Sequence, residues 1–300
     1  MLGSHIGELA ALATALLWTL SALAWTSAGK RIGSLAVSFL RLPIAVAMMM
    51  VYGQIARGHC LPTDADTRTW VLLGISGILG YFLCDIFFFK ALLLIGPRLG
   101  LLIFSLTPPI TAVISWIWGV GSPLTLWDWA AMCVTLSGVA WVVLEQPNIE
   151  DTSHDPRDKW RGVAFALFAT FANAVGVVFS SKGIGDYNAV AATLIRVLAA
   201  LPGYVVLITL WRRWPAMFEA VHHLRAMSIL TFGAIVGPFV GVSFFMVALQ
   251  HAPAGVVTTV TASMPVLIVP FSIFLYHEKV SLRAVGGAIV AVAGVAMLML

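Results

Sequence analysis

The sequence predicts an all-α integral membrane protein, and three observations point there. Hydrophobic residues make up 60% of the 300 positions and charged residues only 10%, against about 25% charged in soluble domains. The apolar residues fall in runs of about 20, the length at which a helix crosses the ~30 Å hydrocarbon layer. The charges sit between those runs in short clusters, such as Lys30-Arg31, Arg157/Lys159/Arg161 and Arg212-Arg213, which is how membrane proteins mark their loops. The mean hydropathy of +0.98 agrees that most of the surface meets lipid.

Ten spans follow, at 6–28, 33–56, 70–95, 98–120, 126–145, 160–180, 189–211, 226–250, 255–275 and 282–300. The first lacks a basic leader and a small-residue cleavage site, so it reads as a retained helix. Strands of a membrane barrel would alternate apolar and polar residues, whereas these runs are apolar all round. Most connections are a few residues long, so consecutive helices are antiparallel neighbours. The exception is the polar stretch from Glu145 to Lys159, which divides the chain nearly in half. The expected organisation is a first five-helix unit over 1–145, a linker over 146–159 and a second unit over 160–300.

The two halves resemble each other. Pro108 in SLTPPITAVIS matches Pro265 in TASMPVLIVPFS at an offset of 157, which also pairs Gly80 with Gly237 and Ala91-Leu92 with Ala248-Leu249. With one residue removed, Gly138-Val139-Ala140 matches Gly294-Val295-Ala296, and earlier in each half Arg41 aligns with Arg196. An odd number of spans per unit makes the second unit enter the membrane from the opposite side. The expected fold is therefore two inverted five-helix repeats around a central cavity, the arrangement that lets one fold open alternately to either face.

Ten spans in two repeats, Pro-containing fourth and ninth helices, and the Tyr276-His277-Glu278-Lys279 stretch before the last span resemble the drug/metabolite transporter superfamily, in its EamA-type branch. The length and the aromatic-rich third span are most similar to the bacterial aromatic amino-acid exporters. The resemblance covers essentially the whole chain. It implies export of amino acids and related small metabolites by alternating access, with drug-like cations or sugars as the alternative cargo. The implied protein is multi-pass in the inner (plasma) membrane, works as a monomer and needs no cofactor or metal.

Ionisable groups at membrane depth mark function by default, because lipid makes them costly. Arg41, Asp85, Lys90 and Arg196 stand at such depth. At ~1.5 Å per residue, Arg41 lies roughly 9–12 Å from one face, with Lys90 roughly 8 Å and Asp85 roughly 15 Å from the same face along the next helix. All three are expected to meet, unless Lys90 snorkels to its interface. Asp85 is either a structural ion pair or the group that takes a substrate's ammonium or a proton. Arg41 and Arg196, at equivalent positions, are read as structural or gating groups together with Lys90.

Substrate contacts are expected from Trp18, Tyr81, Phe88 and Phe104, aromatic residues inside spans and away from the interfacial belts, together with Asp85. The polar residues Thr107, Asn173, Thr258 and Thr261 join them, the threonines flanking Pro108 and Pro265, where a proline leaves a carbonyl free. Interhelical hydrogen bonding is the alternative for each. A net charge of +4 spread over loops does not make a nucleic-acid surface. Cys60, Cys84 and Cys133 have no paired metal spacing, no P-loop is present, and the His222-His223 pair lacks the clustered carboxylates an intramembrane enzyme would need. The basic loops place both termini outside the cytoplasm by the positive-inside rule, whereas the resemblance implies both inside; a reporter fused to a terminus decides between them.

Overall fold

The computed structural model describes residues 5–120, 124–145, 156–264, 266–267 and 282–298. The described chain is all-helical: α1 (Ile6–Ile32), α2 (Ser34–Arg57), α3 (Thr67–Gly77), α4 (Cys84–Phe104), α5 (Thr107–Ile117), α6 (Leu126–Glu145), α7 (Pro156–Ile184), α8 (Ala189–Leu210), α9 (Trp214–His222), α10 (Leu224–Ala234), α11 (Val242–His251), α12 (Ala254–Thr261) and α13 (Leu282–Leu298). Among the described residues eight helical runs have the length and apolarity to cross a bilayer. The expected ninth span is represented by α12, with residues 268–275 outside the described set. The tenth, α13, is 17 residues long. Most of the expected linker and the Tyr276–Lys279 stretch also lie outside the described residues, and α7 already begins at Pro156.

The physics is that of helices in lipid. Backbone groups must be satisfied within each segment, and close approach depends on small residues. The buried interior is accordingly rich in alanine, with Ala11, Ala15, Ala28, Ala45, Ala169 and Ala174 fully enclosed. Many large apolar side chains also lie on the outside, among them Leu126, Ile55, Trp116 and Leu210, an exposure that a hydrocarbon solvent makes favourable.

Two departures from regular helix recur in both halves. A π-helical turn over Ile78–Leu83 joins α3 to α4, and another over Ile235–Gly241 joins α10 to α11. They begin 157 positions apart, the offset seen in the sequence. The fourth span is broken between Phe104 and Thr107 by a turn at Ser105-Leu106, and α12 ends at Thr261 before a turn at Ala262-Ser263, again 157 positions on. Pro108 therefore sits in the first turn of α5, where its missing N–H is harmless, rather than kinking a continuous helix. Pro265 lies outside the described residues.

The expected break between the third and fourth spans takes another form. Helical backbone continues through Cys84–Phe104, yet a Cβ on Gly100 would stand 2.6 Å from Leu92 Cδ2. Eight residues of straight helix would separate them by ~12 Å, so the chain folds back within α4. A short helix absent from the sequence reading, α9, occupies the connector after α8.

Helices of the first half pack mainly on helices of the second: α1 on α10 and α11, α2 on α8, α3 on α7, α5 on α12 and α6 on α13. The last contact is reciprocal. A Cβ on Gly138 would lie 2.3 Å from the Ala291 nitrogen, and one on Gly294 would lie 2.4 Å from the Thr135 nitrogen. Positions 135 and 291, like 138 and 294, are 156 apart, so exchanging the halves maps this contact onto itself.

Candidate functional site

The site is built around the first π-turn. Gly77, Gly80 and Gly176 lack the Cβ that would hold α3, α7 and α8 apart. A Cβ on Gly77 would meet the Arg196 carbonyl oxygen at 2.0 Å, and one on Gly176 would meet the Gly80 nitrogen at 3.3 Å. Ser76 fastens the same junction, its hydroxyl 2.6 Å from the Gly176 carbonyl and 2.5 Å from Ser180 Oγ. The extra residue that a π-turn inserts then rotates everything after it, and Tyr81 and Asp85 emerge toward α2 and α8.

Asp85 forms an ion pair with Arg41, Oδ2 to Nη2. The Tyr204 hydroxyl lies 3.1 Å from the same Oδ2 and 2.8 Å from the Tyr81 carbonyl, and shares its hydrogen between them. The Arg41 guanidinium stacks 4.3 Å from the Trp25 ring centroid. Such pairing is what makes charges tolerable at membrane depth, since either ion alone carries the full desolvation penalty. Both contacts of Asp85 use Oδ2, and a fifth of its side chain remains exposed.

Tyr81 continues the chain of contacts. Its ring lies 5.2 Å from the Arg196 guanidinium carbon. Arg196 is buried, and a Cβ on Gly80 would sit 3.3 Å from its Nη2 and 4.0 Å from Asn173 Oδ1. The result is a polar string through the interior, Trp25–Arg41–Asp85–Tyr204–Tyr81–Arg196, with two guanidiniums and one carboxylate.

Of the residues proposed from sequence, the structure brings together Arg41, Asp85, Tyr81, Arg196 and Asn173. Lys90 does not join them, contrary to the expectation that all three charged groups of the second and third spans meet. Its ammonium lies 5.6 Å from the Trp211 ring and 5.9 Å from those of Phe87 and Phe165. Five residues of helix turn a side chain by about 140°, so Lys90 and Asp85 share a depth range but not a face. Trp18 packs on Phe245 at 5.3 Å, and Phe88 on Phe104 at 4.6 Å. Among the described residues the threonines bond locally: Thr107 donates to the Phe104 carbonyl across the turn between α4 and α5, and Thr258 donates to Ala254 and Thr261 to Val257 within α12, at 2.7–3.0 Å. A buried threonine in a helix reaches its own preceding turn first. Tyr204 and Trp25 were not anticipated; a mid-span tyrosine, away from the interfacial belt, is the signal that marks Tyr204.

A second polar cluster joins two loops from different halves of the chain. Arg57 pairs with Asp64, and Tyr187 bridges the two, its hydroxyl donating to Asp64 Oδ1 at 2.9 Å and accepting from Arg57 Nη2 at 3.2 Å. Gln250 Nε2 donates to the Gly185 and Tyr187 carbonyls at 2.7 and 3.0 Å. The cluster ties the α2–α3 loop of one half to the α7–α8 loop of the other. Partial burial opposes the Asp64 charge, but the hydrogen bonds from Arg57 and Tyr187 together outweigh it and hold the carboxyl below its ordinary value. Burial likewise raises the Tyr187 phenol above its ordinary value. Cavities of about 440 and 360 Å³ flank Tyr187; neither is lined by Asp85 or Arg196.

The chain matches the EamA-like transporter family twice, over residues 5–144 and 160–300. A solved crystal structure of a protein superimposes with a TM-score of 0.76 over 98% of this chain and 97% of its own, at 19% sequence identity, which establishes a shared fold. No curated protein matches the sequence. Two copies of the family's repeat, filling nearly all of an apolar helical chain, make this protein a multi-pass membrane transporter of the EamA-like family within the drug/metabolite transporter superfamily.

Proposed function

We propose that the protein is a secondary carrier of the inner (plasma) membrane that exports amino acids, aromatic ones included, and related small metabolites by alternating access. In this reading ten spans form two inverted five-helix units, and the substrate occupies a central cavity between them. The observation that carries it is the Arg41–Asp85–Tyr204–Tyr81–Arg196 string, a set of charges kept in the interior where α2, α4 and α8 converge. The recurrence of π-turns and broken helices at one offset supports the paired-repeat mechanism, because discontinuous helices supply backbone groups at the depth where carriers bind substrate. The aromatic contacts of Trp18 and Phe88 suit an apolar side chain. Asp85 is the acceptor for an ammonium, while the Arg57–Asp64–Tyr187 cluster ties one half to the other.

Counterflow in liposomes with labelled amino acids, sugars and amines tests the proposal. Exchange of phenylalanine or its neighbours is expected. Exchange of sugars or drug-like cations without amino acids overturns the substrate assignment, and no exchange of any class overturns the carrier reading.

A further inference from the structure

Arg196 is the second half's counterpart of Arg41, but the two arginines are not equally provided for. Arg41 has Asp85. The residue 157 positions beyond Asp85 is Val242, apolar and buried. The second half thus keeps the cation and omits the acid. Arg196 is 6% exposed, and its Nε, like that of Arg41, is enclosed without a hydrogen-bond partner. No carboxylate lies within 4.0 Å of it among the described residues. The neighbours shown for it are uncharged: the Tyr81 ring and the Cβ-less edge of Gly80. The Tyr81 hydroxyl is itself buried and without a partner. A guanidinium without a carboxylate partner and a hydroxyl without a hydrogen-bond partner therefore stand in one neighbourhood.

A structural arginine at membrane depth is normally paired with a carboxylate or with carbonyls, because leaving it unpaired is the costliest arrangement available. A guanidinium also presents a planar fork of donors that matches a carboxylate. We infer that Arg196, with Tyr81, is an anion subsite that takes the carboxylate of the transported molecule, which supplies to Arg196 the charge that Asp85 supplies to Arg41. The inference rests on the carrier reading above and narrows its cargo to small organic acids and zwitterions. It replaces a gating or structural role for Arg196 with a ligand contact, and it rules out cargo whose only charge is positive.

The test uses the purified full chain in detergent with two ligands of one shape, 3-phenylpropanoate and its uncharged amide. The carboxylate is expected to raise Tm by several degrees and the amide not to. Arg196→Gln should abolish that shift while leaving the unliganded Tm at or above wild type, since it removes an uncompensated charge; Arg196→Lys should keep part of the shift. Should Arg196→Gln fail to purify, Arg196→Lys and Tyr81→Phe carry the test, and each must weaken the carboxylate response severalfold. Equal responses to acid and amide, or a carboxylate response that survives these substitutions, overturn the subsite. Labelled phenylalanine counterflow separates the two readings. A carboxylate shift without counterflow retires the amino-acid assignment and keeps the subsite. Counterflow that phenylalaninamide inhibits as well as phenylalanine does retires the subsite and keeps the carrier.

Discussion

Gly77 and Arg196 touch backbone to backbone, so closely that a Cβ on Gly77 would stand 2.0 Å from the Arg196 carbonyl oxygen. The contact fixes the height of the Arg196 side chain against Tyr81 and so sets the geometry of the whole polar string. Backbone cannot yield as a flexible side chain can. Gly77→Ala is therefore expected to destabilise the protein by about 1–3 kcal/mol, the usual range for overpacking, and to lower transport even where it folds. Unfolding in detergent measures the first effect. Wild-type stability in Gly77→Ala would mean that α3 and α8 do not approach as described.

Asp85→Asn leaves Arg41 buried without its acid. Breaking one side of a buried ion pair costs about 3–5 kcal/mol, and the lower end applies because part of Asp85 is exposed. A lower Tm and reduced counterflow are expected together. The double substitution Arg41→Gln/Asp85→Asn should recover most of the Tm without recovering transport. A double variant no more stable than the single one would assign the loss to something other than the uncompensated guanidinium.

The reciprocal glycines of α6 and α13 predict matching effects. Gly138→Val and Gly294→Val each drive a side chain into the facing helix, at Ala291 and Thr135 respectively. Each should lower stability by a similar amount, about 2 kcal/mol. The double variant should fall well short of the sum, since both open one interface. Thermal unfolding of the three variants checks this, and strict additivity would count against a single shared contact.

The Arg57–Asp64–Tyr187 cluster carries a pH prediction. The Asp64 carboxyl is depressed in the folded protein, so its contribution is present above the ordinary carboxylate value and is lost as pH falls through the lowered one. Tyr187 titrates above its ordinary value and stays a donor at neutral pH. The cluster should hold unchanged across about pH 5–9 and loosen only in strong acid. Asp64→Asn or Tyr187→Phe should loosen it at neutral pH, raising amide hydrogen exchange across the α7–α8 loop severalfold. Exchange that rises between pH 7 and 5 in the wild type would contradict the assignment.

Much of the architecture was readable from the chain. Runs of apolar residues long enough to span lipid leave helix as the economical way to satisfy the backbone, and the Pro108/Pro265 and Gly80/Gly237 matches already carried the offset at which both π-turns and both helix breaks recur. The meeting of Arg41 and Asp85 was also readable, because rise per residue is fixed. Lys90 and the threonines show where that reading ends. Depth says nothing of which way a side chain points around the helix axis, and a threonine hydroxyl's nearest acceptor lies on the preceding turn of its own chain.

Amino-acid order by itself determined the lipid solvent and the helices, through hydropathy, and the duplication, through the matched residues of the two halves; a constant ~1.5 Å rise put Arg41 and Asp85 within reach of each other. Tertiary structure alone decided which further groups join them. A π-turn adds one residue and swings the following face by about 100°. The glycine contacts set how near α7 and α8 come to α3 and its π-turn. Together these choose Tyr204 and Tyr81 as the links between Asp85 and Arg196, and leave Lys90 among aromatic rings.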